Sequence, residues 1–207
     1  MPFNRKIPNQ LLYLAFVTVQ EIMGANGLNS ILNYAKLQKY VGHFPPNNLD
    51  VELDTKDFTR FIAGMINVIG ENGARTIMQQ CGKKSFEIML KDFPSLFNLD
   101  GVNPNEASAE KKFDDYQRIS GIILEAAKGI FGADIYKQEV TKEGLATEIA
   151  PCYWCEGLKS TGSICYAEVG FELGMSKWIL GKETKIEETH CISRGDPMCR
   201  FLVHRPQ

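Results

Sequence analysis

The sequence has no uninterrupted apolar run near the ~18 to 20 residues that span a bilayer. Its longest stretches, such as Leu11 to Val17, stop far short, so no transmembrane helix and no membrane partner are expected. Basic clusters interleaved with aromatics are also missing. Lys plus Arg number 23 against 25 Asp plus Glu, giving a net charge of -2 and a pI near 6.0, which argues against nucleic acid as a partner. Neither G-x-G-x-x-G nor a P-loop occurs, so the usual cradle for a nicotinamide, flavin or nucleotide phosphate is absent. Histidine is scarce. His43, His190 and His204 are the whole supply, none stands in a nucleophile motif, and none lies between Val51 and Ala150. No catalytic constellation emerges, and the residues point to binding rather than to a reaction. There is no internal repeat and no low-complexity segment.

What is present fits one compact domain. At 207 residues and 44% hydrophobic, the chain can bury a core without a metal or disulfide to hold it, so any metal site needs a local explanation. Arg5 and Lys6 ahead of Leu11 to Val19 imitate a signal peptide. Gln20 and Glu21 interrupt the run, however, and no small-x-small cleavage site follows. The segment reads instead as an amphipathic first helix with Asn9 at its N-cap, in a cytoplasmic protein. Without an export signal, the six cysteines are read as reduced thiols. Five of them lie between Cys152 and Cys199, which points to a local site.

The first half reads as helices. Asn9 opens the first, Gly24 and Gly27 break it, Leu28 to Tyr40 gives a second, and Pro45 to Asn48 form a loop. Asp54 caps a third helix, ended by Glu71-Asn72-Gly73, and a fourth runs from Ala74 to Lys91. The polar stretch Asn98 to Asn105 is the internal linker. A long helix over Ala107 to Phe131 follows, with Phe113, Tyr116, Ile119 and Ile123 at helical spacing. Beyond Gly132 come two hairpins, Ile135 to Val140 with Leu145 to Ala150, and Thr184 to Ile192 with Met198 to His204. Between them a helix over Ser163 to Leu180 is stopped by Gly181. Hairpin-linked strands imply an antiparallel sheet with helices on one face, an α+β fold whose strand order the sequence leaves open.

The last hairpin carries Glu188, Cys191 and Cys199, and its turn at Gly195-Asp196-Pro197 brings the two thiols together across the strands. Such convergence suits a tetrahedral ion with sulfur ligands at about 2.3 Å. The remaining ligands could come from Cys165, His190, or Cys152 and Cys155, and on spacing alone Cys152, Cys155, Cys191 and Cys199 make a four-thiolate set. Cys81, inside a helix, reads as a small core hydrophobe.

The stretch from Gly144 onward also resembles the 4-vinyl reductase domain. The likeness is carried by Cys165, the helix after it, Gly181, and Glu188-x-x-Cys191-x-x-x-Gly195-x-x-x-Cys199. It implies one such domain over 1–207, with a helical part over 1–105 and the core module over 106–207. It also implies the ligand set Cys165, Glu188, Cys191 and Cys199 around one structural Zn(II), as in the aromatic-sensing domains of phenol-responsive regulators. Three thiolates and a carboxylate form a closed shell with no open position for an activated water, so the metal is a clamp between helix and hairpin and not a Lewis acid. By the same likeness the cavity is flanked by Tyr116, Trp154 and Phe171, the protein is a homodimer, and the fold is similar to vesicle-tethering subunits that bury an acyl chain. The expectation is a protein that binds or senses a hydrophobic or aromatic small molecule, with the clamp separate from the cavity. Phenol sensors use a histidine and a tryptophan to hold the hydroxyl, which puts phenol itself in doubt here. Two alternatives stay open: a role in tetrapyrrole vinyl reduction with an iron-sulfur cluster at Cys152, Cys155, Cys165 and another thiol, and a scaffold subunit binding a lipid chain or peptide.

Overall fold

The computed structural model describes residues 6–97, 108–131 and 135–206, so the expected linker Asn98 to Asn105 lies outside the described residues. A short strand β1 (Lys6–Pro8) leads into helix α1 (Asn9–Tyr34), and strand β2 (Val51–Asp54) into helix α2 (Thr55–Asp92). Helix α3 (Ala109–Phe131) precedes the hairpin β3 (Tyr136–Val140) and β4 (Gly144–Ile149). Helix α4 (Tyr166–Leu180) and the hairpin β5 (Ile186–His190) and β6 (Cys199–His204) complete the chain. The α+β expectation holds. β1 and β2 form a small antiparallel pair, and the other four strands form one antiparallel sheet in the order β3-β4-β6-β5, with Ile149 opposite Cys199.

Glycines set the helix breaks. Gly24 in α1 and Gly70 in α2 have φ of 74° and 76°, a left-handed conformation that interrupts each helix and costs other residues more. The break expected at Glu71 to Gly73 therefore falls at Gly70. Asp54 caps α2 as expected, accepting from the Lys56 amide at 2.8 Å. Asn9 does not cap α1. It is the first helical residue, and its amide Nδ2 donates to Asn48 and Glu52, both at 3.0 Å, which ties the helix start to the loop and strand before α2. By length and composition α1 is apolar enough to cross a membrane, with a mean hydropathy of 1.3. Counting uninterrupted apolar runs misses this, because polar residues divide the helix. Its Leu12, Phe16, Ile31 and Leu32 are buried in the core, where the Phe16 ring meets that of Phe61 edge-on at 4.9 Å.

The contact that positions the site is between α2 and α4. A Cβ on Gly82 would lie 2.0 Å from the Ala167 carbonyl oxygen, and one on Gly170 would lie 2.1 Å from that of Gln79. The two backbones touch at glycines because no side chain fits between them. Gly181, with φ 79°, ends α4 as expected.

Candidate functional site

Five of the six thiols meet at the start of α4. Cys152 and Cys155 come from the loop after β4, Cys165 is the N-cap residue of α4, Cys191 follows β5, and Cys199 opens β6. All five are buried and unbonded. The Cys165, Cys191 and Cys199 sulfurs form a triangle with sides of 3.7, 3.9 and 3.9 Å. Four sulfurs held at 2.3 Å around a tetrahedral ion would stand ~3.8 Å apart, so this triangle is one face of such a site. Two groups compete for the fourth corner. Cys155 lies 3.4 Å from Cys199 and 3.9 Å from Cys191. Glu188 accepts the Cys165 amide on Oε2 at 3.0 Å, while its Oε1 is buried with no hydrogen-bond partner. An orphaned carboxylate oxygen beside three thiols is the donor a metal would satisfy.

Two overlapping sets therefore have all their donor atoms within 4.8 Å of one another: Cys165, Glu188, Cys191 and Cys199, and Cys152, Cys155, Cys165 and Cys199. The structure brings together every residue of the expected ligand set, and it also gives Cys152 and Cys155 the partners they lacked in the sequence. The hairpin loop prepares the thiols for a charged state. The Ile192 amide points at the Cys199 sulfur at 3.3 Å, Ser193 Oγ lies 3.0 Å from the Cys191 sulfur, and Asp196 accepts the Cys191 amide at 2.7 Å. The neighbouring thiols of Cys155, Cys165 and Cys199 hold Cys191 far below the usual thiol range, and burial pushes the Glu188 carboxyl up. Burial pushes Cys152 up to about 11, so bringing a metal there would release protons. Cys81 stands apart inside α2, pushed up to about 12 by burial, as a core cysteine would be.

Against this cluster lies a cavity of about 110 Å³ between α2, α3 and α4, closed by the loop of Tyr153 and Trp154. That is the order of an engineered cavity of about 150 Å³ that admits one benzene ring. Trp154 and Phe171 line it, as expected. Tyr116 does not reach the wall, and its hydroxyl donates to Glu172, which does. Glu168 also lines the cavity, accepting the Trp154 indole N–H at 2.9 Å. Both carboxyls are buried, and burial pushes Glu168 up to about 8 and Glu172 up to about 7. Tyr136 and Tyr153 share a hydrogen bond of 2.9 Å on the same wall. Sequence reasoning missed Glu168 and Glu172. The available signal was that α4 is apolar on all sides, which makes it a buried helix and buries its glutamates with it. The expected separation of clamp and cavity is also corrected, because Trp154 sits between Cys152 and Cys155, and Glu168 lies one turn beyond Cys165.

Residues 145–205 match the family model of the 4-vinyl reductase domain. Two uncharacterized proteins of Methanocaldococcus jannaschii, MJ0745 and MJ1642, are similar in sequence. The first is 27% identical over 61% of this chain and the second 28% over 47%. The chain spans about three-fifths of the length of these curated relatives, 61% and 58%. Among solved structures, an H-NOX family protein described for heme distortion aligns with a TM-score of 0.63 over 97% of this chain and 96% of its own, at 16% identity. The phenol-responsive sensory domain of the transcription activator PoxR, with phenol, aligns with a TM-score of 0.50 over 86% and 89%, at 13% identity. These likenesses describe the fold. A heme does not fit the cavity, which is several-fold smaller than the ~300 to 1,000 Å³ of pockets for larger ligands and has no histidine or cysteine among its described lining residues. The chain carries a 4-vinyl reductase domain over residues 145–205, within a fold shared with H-NOX proteins and a phenol-responsive sensory domain.

Proposed function

We propose that this protein binds and senses a small apolar or aromatic molecule, and that one structural Zn(II) held by Cys165, Glu188, Cys191 and Cys199 fixes the wall of its binding site. The observation that carries the reading is the enclosed, largely apolar cavity, with a few polar groups aimed inward, against α4. Such a cavity gains affinity by burying ligand surface and orients the ligand through its few polar groups. The PoxR sensory domain, which shares the fold, is phenol-responsive, and this supports sensing over catalysis. The zinc assignment rests on the three-thiol triangle and the orphaned Glu188 oxygen. A closed shell of this kind holds structure and activates no water. A homodimer and a cytoplasmic setting belong to the same reading.

Small aromatics should raise the melting temperature of the zinc-loaded protein in a concentration-dependent way, since a ligand that binds only the folded state stabilises it. Phe171→Asp should abolish the shift while leaving the zinc content unchanged. A screen of small apolar and aromatic compounds that moved the melting temperature nowhere would end the sensing reading and favour a scaffold role. One observation supports a second reading of the metal centre: Cys152, Cys155, Cys165 and Cys199 form an all-thiol set that could take iron and sulfide. Sulfur separations of 3.4 to 3.9 Å suit a single ion better than a cluster spread over several irons. A brown, iron-containing protein with acid-labile sulfide would reverse that preference.

A further inference from the structure

The two α4 carboxyls that face the cavity are each half satisfied. Glu168 commits Oε2 to the Trp154 indole and Glu172 commits Oε2 to the Tyr116 hydroxyl. The Oε1 atom of each has no hydrogen-bond partner among the described residues, although Glu168 is only 8% exposed and Glu172 only 4%. No Lys, Arg or His is among the described residues that line the cavity. A carboxylate buried without a cation is costly, and two of them four residues apart on one helix face add repulsion to that cost.

The surrounding wall is built for a positive guest. Phe131, Tyr136, Tyr153, Trp154 and Phe171 line the same cavity, and the Tyr153 ring lies 4.8 Å from both the Phe131 and the Trp154 rings. Aromatic faces attract a cation within about 6 Å of the ring centre. Ammonium groups donate strong, charge-assisted hydrogen bonds to carboxylates. A bare divalent ion suits the site poorly, because it seeks ~6 or more oxygen ligands and most of the wall is apolar. The size of the cavity, about 110 Å³, limits the guest to roughly one ring or a short chain.

We infer that the ligand is a small organic cation, a protonated amine on an aromatic or short apolar body, with its ammonium held between Oε1 of Glu168 and Oε1 of Glu172 inside the aromatic wall. This rests on the small-molecule reading above and narrows it to one charge class. Charge and hydrophobicity then divide the work: the carboxyls select the ammonium, while α3 and the tyrosine-tryptophan loop bury the body of the ligand.

The test uses the full, metal-loaded chain and four probes of one size: benzylamine, benzyl alcohol, phenol and benzoate. Calorimetry and thermal shift should show benzylamine binding at least ~10-fold tighter than benzyl alcohol or phenol, with benzoate silent. In Glu172→Gln and Glu168→Gln, checked for unchanged metal content and circular dichroism, the preference for the amine should collapse while benzyl alcohol binds as before. The comparison of probes on the unaltered protein stands even if a variant fails to fold. Binding of benzyl alcohol or phenol equal to or tighter than that of benzylamine overturns the cation inference and leaves the small-molecule reading intact. Binding of none of the four, and of no other small apolar compound, sinks both.

Discussion

The indole N–H of Trp154 donates to Glu168 at 2.9 Å, joining the loop that carries Cys152 and Cys155 to the helix that begins at Cys165. One hydrogen bond thus spans the thiol cluster and the cavity. Removing the metal with a chelator under reducing conditions should therefore weaken benzylamine binding, although no ligand of the ion touches the amine. Titration of apo and reloaded protein checks this, and equal affinity in both would show the two sites to be uncoupled.

Elemental analysis should find one zinc per chain. Cys165→Ser, Cys191→Ser and Cys199→Ser should each lose it and melt far lower, because binding free energy in a structural site is also folding free energy, worth several kcal/mol or more. Glu188→Ala should bind the ion more weakly. Cys152→Ser should keep full stoichiometry, and Cys81→Ser should melt within a few degrees of the parent. If Cys152→Ser lost the metal while Glu188→Ala kept it, the all-thiol set would be the correct one.

Glu172 predicts a pH dependence of stability. Its carboxyl, ordinarily near 4.5, is pushed up to about 7 by burial, while the Tyr116 hydroxyl bonded to it pulls the other way. The folded state then holds a proton that the unfolded state releases, so this group's contribution is full below pH ~4.5 and is lost as pH rises to about 7. The loss is roughly 3 kcal/mol at about 1.4 kcal/mol per pH unit. Glu172→Gln should flatten that slope and stabilise the protein above pH ~7, as read from urea midpoints across the range. Glu168, next along the helix face and also raised by burial, keeps its own slope in this variant.

Two glycine substitutions should move in opposite directions. Gly82→Ala places a methyl 2.0 Å from the Ala167 oxygen and should cost ~3 kcal/mol or more, since α4 must lift off α2. Gly129→Ala, inside α3 with open space around its Cβ, should gain about 0.5 to 1 kcal/mol from helix propensity. Denaturant melts decide both.

The metal corner was legible in the sequence because Glu188, Cys191 and Cys199 carry their chemistry in residue type and spacing, and a hairpin turn brings such residues together. The helices were legible from their periodicity, and α4 from Gly181. What stayed hidden depends on contacts between distant segments. Ile7 pairs with Leu53 in strands of three and four residues, too short to show alternation. Asn9 looked like a helix cap, and its amide was claimed instead by Asn48 and Glu52 from a later loop and strand. Glu168 and Glu172 looked like surface positions because a local pattern does not record that α2 and α3 close over them. The nearness of Cys155 to Cys191 across the sheet end was likewise invisible, so the spacing left several thiol sets open where the structure leaves two.

The glycine contact between α2 and α4 makes Gly170 a fulcrum. Sliding α4 along its axis would drive backbone into backbone, so its easiest motion is a tilt about that point. Cys165 stands ~7 Å to one side and Leu180 ~15 Å to the other, at 1.5 Å of rise per residue. The arms are unequal by about two to one, and Glu168 and Glu172 flank the pivot. A guest wedged against those two residues would work with little leverage on the metal end, and whatever small displacement the thiols tolerated would be doubled at Leu180, where the chain turns into β5.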